Sequence, residues 1–137
     1  MSHPGLFWSL LFAVLATALP AHADINNFVA FMNGAKEAPG AGDPDGFGIG
    51  SVSIDTVANT VSWSFLINNV DMPLTGAHIH AGAAGVAGPV IVNFSGQLAG
   101  ANLFDVDLAS INAGNAANFY LNVHNAAFPG GAIRGQL

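Results

Sequence analysis

The chain has 137 residues, no cysteine, two Lys or Arg against eight Asp or Glu, and a formal net charge of −6. That length suits one domain, and the missing cysteines exclude disulfide staples and thiolate ligands. With 7% charged residues and almost no cations, the chain lacks the clustered Lys and Arg that nucleic acid or an anionic membrane surface requires, whereas small cations suit its sign.

Residues 1–23 read as a signal peptide rather than as part of the fold. Leu6 to Leu19 is an apolar run too short to span a bilayer comfortably, and Ala21-His22-Ala23 supplies a small-x-small cleavage pattern before Asp24. The segment before the run carries no Lys or Arg, only the α-amino group and His3, and a membrane anchor is the alternative reading. Cleavage would remove His3 and His22 and leave 24–137 as a secreted or periplasmic domain without membrane attachment.

Asn27 to Gly34 reads as a first strand whose apolar residues, Phe28, Val29, Phe31 and Met32, fall on both faces, so both faces are expected to be covered. Lys36-Glu37-Ala38-Pro39 leads into a Gly-, Pro- and Asp-rich turn over 40–46. Asp43 and Asp45 there lack the closing Glu of a calcium loop, so a solvated turn is the better reading. Gly48 to Asp55 and Thr60 to Asn68 follow as strands. In the latter, Val61, Trp63, Phe65 and Ile67 alternate with Ser62, Ser64, Leu66 and Asn68, which assigns Trp63 to the core.

Thr75 to Gly82 then places two imidazoles at i and i+2. On a strand His78 and His80 project from one face, with Cα atoms roughly 6.6 Å apart, a separation that suits one metal ion. A glycine loop over 82–88 has neither the Lys nor the following helix of a phosphate cradle. Val90 to Phe94 and Leu103 to Leu108 are further strands, and Asp107 to Asn118 holds one short helix or turn, with Asp107 as its cap. In Phe119 to His124, Phe119, Leu121 and Val123 point inward, and Tyr120, Asn122 and His124 share the other face. After the turn at 128–131, Ala132 to Leu137 closes the chain with Arg134 and Gln136 on one face. Short strands with turn signals and no helix periodicity predict an antiparallel sandwich or barrel.

Phe31 to Pro39, Gly76-Ala77-His78-Ile79-His80, Gly88 to Val92, Tyr120 to His124 and Phe128 to Leu137 resemble, in that order, the CHRD domain. This module was first described in chordin and is also found in bacterial exported proteins. The resemblance spans nearly all of 24–137 and implies an all-β, antiparallel Greek-key sandwich of immunoglobulin-like or superoxide-dismutase-like form in an extracellular or periplasmic setting. His78-Ile79-His80 and Val123-His124 are also similar to copper-ligand elements of copper/zinc superoxide dismutase. The bridging histidine of that family is absent, since Ala87-Gly88-Pro89 is followed by Val90, and a zinc half-site is absent with it.

Three neutral imidazoles are donors for copper first and zinc second. His78, His80 and His124 are therefore the expected ligands of one ion, if the last strand lies beside the first pair. The alternative is a metal-free extracellular interaction or matrix module, bound to a protein partner, in which the histidines fix strand geometry; a weak copper redox enzyme is a third reading. Arg134 is expected to pair with Glu37 rather than to steer an anion, and Tyr120 and Asn122 to make supporting contacts around the histidines. No nucleophile elbow supports a hydrolase, and the neighbouring Asp105 and Asp107 fit an exposed edge better than a glycosidase pair.

Overall fold

A computed structural model describes residues 24–103 and 108–137. The expected signal peptide, most of the strand expected between Leu103 and Leu108, with Asp105, and the proposed cap Asp107 lie outside the described residues. Eight strands are present among the described residues: β1 (Ile25–Asn33), β2 (Phe47–Asp55), β3 (Thr60–Asn68), β4 (Leu74–Ala81), β5 (Val90–Asn93), β6 (Ala99–Leu103), β7 (Phe119–Asn125) and β8 (Ile133–Gln136). Three single-turn 3-10 segments, Gly34–Lys36, Leu108–Ser110 and Ala116–Asn118, complete the set, with no α-helix among the described residues. The strands hydrogen-bond in the order β5-β4-β7-β8-β1-β2-β3-β6, every pair antiparallel. The fold is all-β, as the alternation predicts.

The sheet curls so that its two halves face one apolar core. Phe28, Ala30 and Met32 of β1, Val52 and Ile54 of β2, and Val61, Trp63 and Phe65 of β3 belong to the same buried cluster as Ala77 and Ile79 of β4 and Leu121 and Val123 of β7. The segment between β5 and β6 joins the two ends of the strand order. Phe94 N donates to the β4 carbonyl of Ala77 at 2.8 Å, and Phe65 N of β3 donates to the Leu98 carbonyl at 2.7 Å. The Phe94 ring stacks on Trp63 with centroids 4.4 Å apart, so an aromatic pair lies where the curled sheet comes together.

One expectation is corrected. Only one face of β1 is covered: Val29 is 57% and Phe31 67% exposed. Phe31 lies in register with Ile49 and, through it, Leu66, so these side chains form an outward row whose cross-strand contacts offset part of the cost of exposure. The sixth strand, Ala99–Leu103, was not expected from the sequence. Its small residues carry no alternation signal, yet they permit the pairing: a Cβ on Gly100 would fall 2.5 Å from Trp63 Cζ2.

β7 shows a pattern that alternation does not foretell. Leu121 and Val123 are fully buried in the core, and the opposite face is covered as well, with Tyr120 2% and Asn122 3% exposed. A strand buried on both faces with polar side chains on one of them has those side chains committed to a local network.

Candidate metal centre

The network is laid out by the register of three neighbouring strands. Gly76 of β4 lies opposite His124 of β7; His78 lies opposite Asn122, which lies opposite Arg134 of β8; His80 lies opposite Tyr120, which lies opposite Gln136. Period-2 alternation puts all of these on one face, back to back with the core residues Ala77, Ile79, Leu121, Val123 and Ile133. The three sequence-predicted histidines thus converge. Ring centroids are 5.3 Å apart for His78 and His80, 4.9 Å for His78 and His124, and 6.1 Å for His80 and His124. One nitrogen from each ring lies within 4.8 Å of those from the other two.

Two of the rings have their tautomers set by backbone carbonyls. His80 Nδ1 lies 2.8 Å from the Gly88 carbonyl oxygen, and His124 Nδ1 lies 3.1 Å from that of Pro129. A carbonyl only accepts, so each Nδ1 carries the proton and each Nε2 keeps a free lone pair. Both Nε2 atoms, together with His78 Nδ1, are buried without a hydrogen-bond partner. This is the carbonyl-anchored arrangement by which metal-ligating histidines are oriented.

The cluster also holds its imidazoles neutral. Burial pushes His78 down to about 4, helped by the neighbouring His124 and His80. Burial lowers His80 and His124 as well, opposed in each case by the bond to its carbonyl. A neutral imidazole has the lone pair that a metal requires.

The remaining predicted residues surround these rings, Arg134 and Glu37 without the mutual pairing expected of them. Arg134, 1% exposed, donates through Nη2 to the Ala83 carbonyl at 2.7 Å and to Gln136 Oε1 at 3.1 Å, and its guanidinium sits 3.4 Å from the Tyr120 ring centroid. Glu37 accepts instead from Asn122 Nδ2 at 3.3 Å. The expected Arg134–Glu37 pair is therefore replaced by carbonyl, amide and cation–π contacts, and Arg134 acts on Glu37 only through its field. Burial raises Glu37 to about 7, against the lowering effects of Asn122, Arg134 and the Ala38 backbone. Tyr120 stacks on His80 at 4.8 Å with ring planes 8° apart, and its hydroxyl accepts from Gly88 N at 3.1 Å.

Sequence reading missed Gly76 and the carbonyl-bearing residues Gly88 and Pro129. A Cβ on Gly76 would fall 2.7 Å from His78 Cε1 and 3.4 Å from His124 Cδ2, so the space these rings occupy exists because residue 76 has no side chain. The available signal was the spacing: Gly76 lies two positions before His78, on the same face.

Comparison with known proteins matches residues 28–137 to the CHRD domain. No curated protein and no solved structure matches the chain.

Proposed function

Starting from the membership of this chain in the CHRD-domain family, whose modules are typically extracellular, we propose that it binds one transition-metal ion, copper before zinc, through His78 Nδ1, His80 Nε2 and His124 Nε2. One observation carries the reading: each of the three rings has a buried nitrogen without a partner, and one nitrogen of each ring lies within 4.8 Å of those of the other two. A purely structural role accounts for the bonds of His80 and His124 to their carbonyls. It leaves the three other nitrogens desolvated for nothing, at about 1–3 kcal/mol each.

The fit to an ion is close without being preset. Donors about 2.0 Å from a tetrahedral centre stand about 3.3 Å apart, so the rings must close by about 1–1.5 Å, within the reach of small χ changes. Imidazole donors without thiolate suit Cu(II) and Zn(II), and copper leads in the general affinity order. Export would place the chain where such ions are met outside the cytoplasm.

Metal analysis of protein purified without a histidine tag tests the proposal. One equivalent of copper or zinc is expected, and it should disappear in His78→Ala/His80→Ala. A folded wild type that takes up neither metal removes the reading and leaves a metal-free interaction module.

A further inference from the structure

We infer that Asn122 supplies a fourth donor, its side-chain amide oxygen Oδ1, to the ion held by the three imidazoles; the inference rests on the metal-binding reading above. Asn122 occupies the middle of the polar face. It pairs with His78 across β4 and β7, stands two residues from His124 on its own strand, and is diagonal to His80. Directly paired Cβ atoms are about 4.5–5.5 Å apart in such a ladder, so the Asn122 and His78 side chains are neighbours on that face.

The amide is used at one end only. Nδ2 donates to Glu37 Oε2 at 3.3 Å, whereas Oδ1 is buried without a partner on a residue 3% exposed. His80 Nδ1 and His124 Nδ1 bond the Gly88 and Pro129 carbonyls, Arg134 Nε and Nη2 bond Gln136 and Ala83, and Arg134 Nη1, itself buried without a partner, makes no hydrogen bond to Oδ1. Oδ1, His80 Nε2 and His124 Nε2 each keep a buried lone pair that no donor meets, on side chains of one face of β4 and β7. Lone pairs gathered out of water repel one another, and a cation among them turns the repulsion into coordination.

An amide oxygen is a hard donor. It favours Cu(II) and Zn(II) over Cu(I), which is content with the imidazoles. Asn122 thereby biases the site towards divalent ions, and its anchorage to Glu37 fixes which end of the amide faces the rings.

The test titrates zinc, Cu(II) and Cu(I) into wild type, Asn122→Leu and Asn122→Asp, with apo melts as a folding control. Asn122→Leu is expected to lose at least about tenfold in divalent affinity, to hold Cu(I) within about threefold, and to show a changed Cu(II) EPR spectrum. Asn122→Asp, which keeps an oxygen there, restores divalent binding. In zinc-loaded wild type the Asn122 side-chain carbonyl carbon should shift by NMR, a readout that requires no variant to fold. An unshifted carbonyl, an unchanged Asn122→Leu, or equal losses in both variants for every ion overturns the inference in favour of an amide that only braces Glu37, and leaves the three-histidine site intact. A wild type that binds no ion removes that site itself, and this inference with it.

Discussion

Gly76 is the residue whose smallness the histidine cluster depends on most directly. The atoms a Cβ would meet there belong to His78 and His124 side chains and not to backbone, so Gly76→Ala should spare the fold and displace the rings. Zinc affinity is expected to fall at least about tenfold while the apo melting temperature moves by no more than a few degrees; calorimetric titration beside a thermal melt checks both. Glu37 makes a separate prediction. Its pKa is raised from 4.5 to about 7, so its contribution to stability is complete below 4.5 and is lost as pH rises through 7. Glu37→Gln does not ionise and escapes that loss. The melting temperature of the variant relative to wild type should therefore be higher at pH 8 than at pH 5, and a difference independent of pH would show that Glu37 ionises without cost in the fold. His-x-His on one face was readable from spacing alone, whereas the replacement of a Glu37–Arg134 pair by Asn122 on one side and Tyr120 and Gln136 on the other was not, because a charge count does not say which side chains share a strand register.

β4 and the loop at 82–88 act together. The loop returns alongside the end of β4, with Ala81 N donating to the Pro89 carbonyl at 3.0 Å. Its residue Gly88 is held at both ends of its peptide groups, N–H to the Tyr120 hydroxyl and C=O to His80. A Cβ on Gly88 would collide with the Ala81 carbonyl, which explains glycine in this close approach. Tyr120→Phe removes one of the two ties and is expected to cost about 1 kcal/mol, to speed exchange of the Gly88 amide, and to weaken metal binding by loosening the carbonyl that sets the His80 tautomer. Hydrogen exchange followed by NMR distinguishes this from general destabilisation, which would speed exchange in the core of β7 equally. The other elements were legible to different degrees. β3 followed from its alternation, but β6 did not, since Ala99 to Leu103 advertises no face and pairs because Trp63 admits Gly100 beneath it.

Across the whole molecule, the curled sheet gives two uses of one alternation. One face of β1 to β5, β7 and β8 feeds a common core; the other is bare on β1, β2 and β3, where Phe31 and Leu66 stay 67% and 70% exposed, and covered on β4, β7 and β8. Burying a polar face makes stability depend on pH. His78 falls from 6.5 to about 4, and His80 and His124 shift in the same direction, so their neutral forms favour the fold above 6.5 and that advantage is lost as pH falls towards 4. Apo melts should decline through this window, more steeply than in His78→Ala/His80→Ala. A bound ion would add about 2.7 kcal/mol at a hundredfold excess over Kd, and the gain should shrink with acid as protons compete for the same nitrogens.

The sequence by itself determined the all-β class, the inward face of β3, and the common face of His78 and His80, because each follows from a two-residue period along a local segment. It also held the CHRD motifs that identify the family. Only the tertiary structure decided that His124 lies within 4.8 Å of that pair, that the second face of β7 is enclosed, and that β1 is open on one side. A strand's period says which residues share a face; which strand lies beside it and which loop covers it are set by pairings across tens of residues, and those depend on how the whole sheet closes.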